Sequence, residues 1–114
     1  MTIQVGADLG VKHCKPCEGG TPALAGDVLT DYFKQVQGWE LVEWKKIVKS
    51  FKFPNFRKAL EFTNRVGELA ESENHHPDIY LSWGKVKIEL STHAVKGLSE
   101  NDFILAAKID ELPK

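Results

Sequence analysis

The sequence is poor in the features that mark secreted and membrane proteins. It holds two cysteines in 114 residues, too few for the disulfide framework of a small secreted domain. Its apolar runs are a few residues long, whereas a membrane-spanning helix needs about 18 or more. Asp8, Lys12 and Lys15 interrupt the apolar stretch that a secretory signal would need near the N-terminus. These absences predict a cytoplasmic protein with no membrane segment.

An excess of charge of either sign is also missing. Fifteen Lys and Arg against sixteen Asp and Glu give a formal net charge of −1, so the chain lacks the basic surplus that displaces counterions from nucleic-acid phosphates. Hydrophobic residues make up 42% of the sequence, and a chain of this length can bury a core without disulfides or metals. The composition therefore predicts one folded domain that does not bind nucleic acid.

The apolar pattern divides the chain into an irregular N-terminal lead-in, residues 1–26, and a single folded domain, residues 27–114. The lead-in is rich in Gly and Pro and has little periodicity. In the domain, helical spacing and two-residue alternation predict a helix followed twice by strand, strand and helix. The helices are expected at about 27–36, from 56 to before Pro77, and at 99–112; the strands are expected at 39–44, 47–53, 79–83 and 85–92.

Alternating strands have one apolar face to bury, and this decides the predicted fold class. The strand at 85–92 is the clearest, with Val86, Ile88, Leu90 and Thr92 expected on one face. Helices that cover one face of an antiparallel sheet bury such residues economically. We therefore predict an α+β fold of two layers, in which three helices pack on one face of a four-stranded antiparallel sheet.

Three of the four histidines occur within nineteen positions. His75 and His76 lie on the connector before Pro77, and His93 follows the clearest strand. Loops and strand ends on a rigid scaffold often carry function, and an imidazole can both accept and donate a proton near neutral pH. The alternative is that the pair is merely solvated and that His93 satisfies a backbone carbonyl. A zinc site is less favoured, because neither an i,i+4 histidine pair nor an obvious third carboxylate ligand accompanies them.

A second candidate motif is Cys14-Lys15-Pro16-Cys17, preceded by His13. It supplies two of the four ligands that a structural zinc site normally needs. A thioredoxin-like redox site would require the motif at a strand-to-helix junction, and here it lies in the Gly/Pro-rich lead-in. A turn with two free thiols is the simpler interpretation.

The spacing of several residues across the second half of the chain is more specific than any of them alone. The series Glu71, His75-His76-Pro77, Trp83, His93 and Asp102 resembles the signature of the pterin-4a-carbinolamine dehydratases. The lead-in Cys-x-x-Cys-x-Gly-Gly is similar to the N-terminus of bacterial members. Further matches are Gly38-Trp39, Phe51-Lys52-Phe53, Arg65-Val66, Ser91-Thr92-His93 and Gly97-Leu98-Ser99.

This resemblance implies a small hydro-lyase that dehydrates 4a-hydroxytetrahydrobiopterin, the pterin-4a-carbinolamine, to quinonoid dihydropterin. The reaction belongs to tetrahydrobiopterin recycling and implies a functional link to an aromatic amino acid hydroxylase. The family uses neither a metal nor an organic cofactor, and its members form homodimers or homotetramers. Some members also bind the dimerisation helix of a transcription factor, so a non-catalytic protein-interaction module on the same fold is the alternative.

The resemblance also implies which residues form the site. His75, His76 and His93 are expected around the reacting carbon, where His75 or His76 accepts the N5 proton and another of the three protonates or orients the departing hydroxyl. The assignment among the three stays open. The expected substrate-binding residues are Glu71, Asn74, Ser91, Thr92 and Ala94. Helix capping is a sufficient explanation for Asp102, and Glu71 either orients an imidazole or is simply a solvated carboxylate.

Overall fold

The elements of the fold follow one another in the predicted order. The computed structural model describes residues 7–16 and 22–114. Their helices are α1 (Ala7–Gly10), α2 (Gly26–Phe33), α3 (Phe56–Glu73) and α4 (Glu100–Asp110), and their strands are β1 (Glu40–Val42), β2 (Lys46–Lys52), β3 (Asp78–Ser82) and β4 (Lys85–Leu90). The predicted α+β class is confirmed. The single turn α1, inside the lead-in, was not predicted, and the division of the chain at residue 26 stays a prediction.

The four strands form one antiparallel sheet in the order β1-β2-β4-β3. The register pairs Ile47 with Leu90 and Phe51 with Val86, and it pairs Ile79 with Ile88. Directly opposed residues project to the same face of a sheet, so these side chains build one apolar face. The alternation predicted for β4 is confirmed, because Val86, Ile88 and Leu90 are all buried, as is Thr92 just beyond the end of the strand.

Helices cover this apolar face. Helix α3 packs on β3 and β4, and α4 packs on α3, α2 and α1. Helix α3 begins after an N-cap, Asn55, whose Oδ1 accepts a hydrogen bond of 2.9 Å from the backbone N–H of Lys58. Phe62 and Phe103 are both fully buried in the core that the helices share with the sheet. No helix in the described part of the chain combines the length and the apolar character needed to cross a membrane.

Several element ends differ from those predicted, for local reasons. Strand β1 stops at Val42 because Glu43 and Trp44 take positive φ angles of 53° and 61°, so the turn falls at 43–45 rather than near 45–46. Helix α2 ends at Phe33, ahead of the predicted Val36. Strand β4 ends at Leu90 because Thr92 leaves the ladder to form an isolated bridge with Gly97.

The sheet topology brings two chain segments to the same end of the sheet. Strand β3 begins where β4 ends, since Asp78 pairs with Glu89. The connector before β3, residues 74–77, therefore emerges beside the segment after β4, residues 91–95. The Thr92–Gly97 bridge then turns the chain back toward the start of α4. This end of the sheet collects the histidines, Glu71 and Asp102 of the sequence signature, whereas Trp83 lies in the β3–β4 turn at the opposite end.

The ring of Phe62 is central to the core, because its centroid lies 4.8 Å from that of Phe51 and 5.1 Å from that of Phe53. We expect Phe62→Ala to lower the free energy of unfolding by about 3–5 kcal/mol, since it removes a buried ring and leaves a cavity. Urea unfolding followed by circular dichroism measures this value. Phe56→Ala is the control, because Phe56 lies on the same helix and is 44% exposed. A loss as large for Phe56→Ala would contradict the assignment of the core.

Candidate functional site

The end of α3 fixes the direction in which the histidine pair leaves the helix. Asn74 closes the helix in the left-handed conformation, with φ 52° and ψ 39°, which asparagine tolerates better than most residues. Its backbone N–H donates to Glu71 O, and that of His75 donates to Ala70 O. Pro77 follows and prevents the helix from resuming. His75 and His76 therefore project from a short connector with a defined backbone.

His75 is held by a buried carboxylate. Its Nε2 lies 2.7 Å from Oδ1 of Asp102, and the two side chains are 12% and 0% exposed. When Asp102 is ionised, its carboxylate offers only acceptors, and Nε2 of His75 is the donor of this bond. The other ring nitrogen, Nδ1, is then the atom of His75 that can accept a proton.

Asp102 also ties together two other segments. Its Oδ2 accepts a 2.8 Å hydrogen bond from Thr92 Oγ1 and a 3.0 Å bond from the backbone N–H of Ser99. The bond to Ser99 belongs to a capping box at the start of α4, so the capping expected of Asp102 is observed. Capping is therefore only part of what Asp102 does. The same carboxylate links the end of α3, the end of β4 and the start of α4.

His76 has a different environment. Its Nε2 is hydrogen-bonded to Oε2 of Glu71, and both side chains are largely exposed, at 56% and 74%. Of the two interpretations of Glu71, the geometry favours the one in which it orients an imidazole. This pair is open to solvent, so a ligand could reach the ring of His76 without rearrangement of the core.

The segment after β4 carries the third histidine. His93 begins a short 3-10 turn, His93–Val95, and both His93 and Ala94 are exposed while Ser91 is half-buried. Thr92 between them is buried, at 6% exposed, and its hydroxyl is directed to Asp102. Its backbone N–H donates to Gly97 O over 2.7 Å. Thr92 therefore supports the site from inside, and the exposed neighbours are the ones that a ligand can touch.

The structure thus brings the predicted residues to one end of the sheet on two adjacent segments. Glu71, Asn74, His75 and His76 come from the end of α3, and Ser91 to Ala94 come from the end of β4. Asp102 connects the two groups through His75 and Thr92. Sequence reasoning assigned Asp102 to capping, and the signal for its further role was its place in the spaced signature.

The structure describes only the first part of the cysteine motif, residues 14–16. Cys14 is described, and its thiol donates to Asn101 O over 3.6 Å, whereas Cys17 lies outside the described residues. Burial, followed by the nearby charges of Glu73 and Asp102, raises the pKa of Cys14 to about 12. At neutral pH a thiol with so high a pKa is protonated and is a poor nucleophile. Among residues 7–16 and 22–114, no group of three or more His, Cys, Asp or Glu side chains could hold a metal ion.

Fold and site together define a class of small α+β domain with a histidine–carboxylate pair at one end of a one-sided antiparallel sheet. The sequence model of one family, pterin 4 alpha carbinolamine dehydratase, matches residues 22–112. The chain belongs to this family, and the resemblance noted from the spaced signature is confirmed.

Similar proteins cover almost the whole chain. A protein of Rubrobacter xylanophilus, provisionally named a pterin-4-alpha-carbinolamine dehydratase, is 51% identical over 93% of this chain and 99% of its own length. A protein of Alkaliphilus metalliredigens with the same provisional name is 50% identical over 91% of this chain and 95% of its own length. Both alignments therefore span more than nine-tenths of this chain and of the relative.

Solved structures show the same fold. The crystal structure of a transcriptional coactivator/pterin dehydratase from Brucella melitensis superposes with a TM-score of 0.72, at 29% identity, over 77% of this chain and 95% of that chain. A pterin dehydratase-like protein identified as a RuBisCO assembly factor in the alpha-carboxysome has a TM-score of 0.56 at 22% identity, over 65% of this chain and 87% of that chain. The second likeness concerns the fold alone.

The buried hydrogen bond from Thr92 to Asp102 is expected to stabilise the fold around the site, and mutation of Thr92 tests this. We expect Thr92→Val to lower the free energy of unfolding by about 1–3 kcal/mol, because it removes a donor to a buried carboxylate while keeping the side-chain shape. The change is measured by urea unfolding. Thr63→Val is the matched control, because the Thr63 hydroxyl donates to the Ala59 carbonyl within α3. Equal losses for the two variants would argue against a structural role for the Asp102 network.

Proposed function

We propose that the chain is a 4a-hydroxytetrahydrobiopterin dehydratase, a hydro-lyase that works by histidine acid/base catalysis in tetrahydrobiopterin recycling. Membership of the family and identity of about half to dehydratase-named relatives support the reaction class. The observation that carries the mechanism is the 2.7 Å contact between His75 and the fully buried Asp102, beside the exposed pair His76 and Glu71.

The reaction needs one proton acceptor and one proton donor. The C4a–O bond breaks, and its electron pair leaves with the hydroxyl, which takes a proton to become water. The N5–H bond loses its proton, and its electrons form the C4a=N5 double bond. No electron or hydride passes to another molecule, so acid/base groups suffice. Positioned side chains of this kind typically accelerate proton transfer by about 10²–10⁴-fold.

We assign the acceptor role to His75. Its Nε2 is bonded to Asp102, which leaves Nδ1 as the basic nitrogen and provides a negative charge beside the imidazolium that forms. Asp102 is then a positioning residue, since it acts through the histidine. The exposed His76, paired with Glu71, is suited to donate a proton to the leaving hydroxyl. His93 is assigned to orienting that hydroxyl.

The substrate contacts follow from exposure at this end of the sheet. Asn74 and Ala94 are exposed and Ser91 is half-buried, so their polar backbone and side-chain groups are available to the pterin ring. Glu71 contributes through His76, and Thr92 contributes through Asp102.

Three further expectations stay predictions: a homodimer or homotetramer, a functional link to an aromatic amino acid hydroxylase, and a cytoplasmic location. Light scattering would check the first, co-purification the second and cell fractionation the third.

A non-catalytic interaction module is the second candidate function. The Brucella melitensis relative is titled both a transcriptional coactivator and a pterin dehydratase. In this chain the tips of both hairpins expose a tryptophan, with Trp44 at 62% and Trp83 at 68% exposed, which is typical of surfaces that contact partners. Activity in the purified protein distinguishes an enzyme from a module without activity.

The histidine assignment is tested by replacing His75, His76 and His93 singly with Ala. We expect each variant to lose rate in the dehydration of a chemically generated carbinolamine, with a loss of about 10²–10⁴-fold for the acceptor His75. The uncatalysed rate must be subtracted. Tyr80→Ala is the control, because it removes an exposed ring from the opposite face of the sheet. Full activity in the three histidine variants would reject the assignment.

The role of Asp102 is tested with Asp102→Asn. We expect kcat to fall by about 10–100-fold, the usual loss when a group that orients a functional histidine is removed, while KM changes little. Asp110→Asn is the matched control on the same helix, because Asp110 accepts bonds from Trp39 and Lys49. An unchanged kcat in Asp102→Asn, with the protein folded, would limit Asp102 to capping.

A further inference from the structure

The last residue of α3, Glu73, is a buried carboxylate bound by the N-terminal arm, which we define as residues 9–15. Its side chain is 6% exposed. Its Oε1 accepts a 2.8 Å hydrogen bond from the backbone N–H of Cys14, and its Oε2 lies 2.9 Å from His13 Nδ1. The end of the long helix is therefore bonded to a segment about sixty residues away along the chain.

A cation on α4 completes the surroundings of Glu73. Lys108 Nζ lies 3.7 Å from Glu73 Oε2 and donates to the carbonyl of Gly10 over 3.0 Å. Burial raises the pKa of Glu73, but the bonds from Cys14 and His13 and the charge of Lys108 outweigh burial, so its pKa lies below the ordinary value. The carboxylate is thus charged at neutral pH and bonded to both the arm and α4.

The arm has a second attachment at the start of α4. The side chain of Asn101, which is 7% exposed, accepts a 2.9 Å bond from the backbone N–H of Lys15 through Oδ1 and donates to the Lys15 carbonyl through Nδ2. Leu9, at the other end of the arm, is buried in the core. The arm is anchored at both ends and between them.

The two attachments lie next to the two partners of the histidine–carboxylate pair. Glu73 precedes His75 by two residues, and Asn101 immediately precedes Asp102. We propose that the N-terminal arm is a clasp that holds the end of α3 against the start of α4, and that Glu73 is a positioning residue that sets the contact between His75 and Asp102. The catalytic part of this inference rests on the proposed dehydratase function.

The physical reason is that a 2.7 Å contact between side chains of different helices depends on where both helix ends lie. A displacement of about 1 Å in a reacting group can cost about 10²-fold in rate. The arm bonds to Glu73 through the backbone N–H of Cys14, and to Asn101 through the backbone N–H and carbonyl of Lys15. Backbone groups have less freedom to move than the end of a long side chain, so these bonds fix the distance between the two helix ends. Loss of the Glu73 charge weakens the clasp where it holds α3.

The test compares Glu73→Gln with Glu68→Gln in the full chain. Both changes neutralise one glutamate of α3, but Glu68 is exposed on the helix surface. We expect Glu73→Gln to lower kcat by about 10–100-fold with a smaller change in KM, and to shift the ring ¹⁵N signals of His75, while Glu68→Gln changes neither. Asn101→Ala should give the same pattern, and the double variant Glu73→Gln/Asn101→Ala should lose less than the product of the single losses.

Measuring both kcat and the ring ¹⁵N signals of His75 distinguishes failure of the clasp from failure of the proposed dehydratase function. If Glu73→Gln lowers thermal stability but leaves kcat and the His75 signals unchanged, the clasp is overturned and Glu73 is a stability residue only. If the wild-type protein has no dehydratase activity, the proposed function fails. The His75 ring signals, assigned with His75→Ala, then still decide whether the arm positions the pair.

Discussion

A single buried charge, the carboxylate of Asp102, is the constraint on which the candidate site depends. A carboxylate with no exposure to water must be satisfied by donors, because an unpaired buried charge is strongly unfavourable. Here the donors are His75, Thr92 and the backbone N–H of Ser99. They lie 27, 10 and 3 residues from Asp102 along the chain, so satisfying one carboxylate fixes the relative positions of the end of α3, the end of β4 and the start of α4.

The one-sided sheet explains why these segments meet at its end. Helix α3 packs on the apolar face and α4 packs on α3, while the opposite face carries ion pairs such as Lys46 with Glu89 over 3.0 Å. The core is therefore filled by apolar side chains, and functional polar groups are left to the strand ends and the loops that follow them. Because β3 begins beside the end of β4, the two histidine-bearing segments are neighbours by topology.

The N-terminal arm illustrates a second buried charge that organises the fold. Composition indicated an irregular segment, and the described part contains only one helical turn, Ala7–Gly10. Yet backbone groups of the arm form hydrogen bonds with Glu73 and Asn101. A segment can form such bonds without a regular apolar pattern, so its irregular sequence gave no sign of them. Glu73 and Asn101 were not predicted as functional, because a polar residue near a helix end is expected to be solvated unless its distant partner is known.

Local pattern was sufficient for the order of the elements from α2 to α4 and for the identity of the histidines, but not for α1 or for every element end. Two-residue alternation in β4, the Asn55 cap, the Ser99–Asp102 capping box and Pro77 each act within a few residues, so they can be read along the chain. The spaced histidine signature pointed to the family in the same way. Tertiary structure alone decided that Asp102 is bonded to His75, that the Thr92 hydroxyl donates to Asp102, and that the arm reaches Glu73. Each of these depends on a hydrogen bond between residues ten to sixty positions apart, and the geometry of such a bond is set by packing rather than by neighbouring sequence.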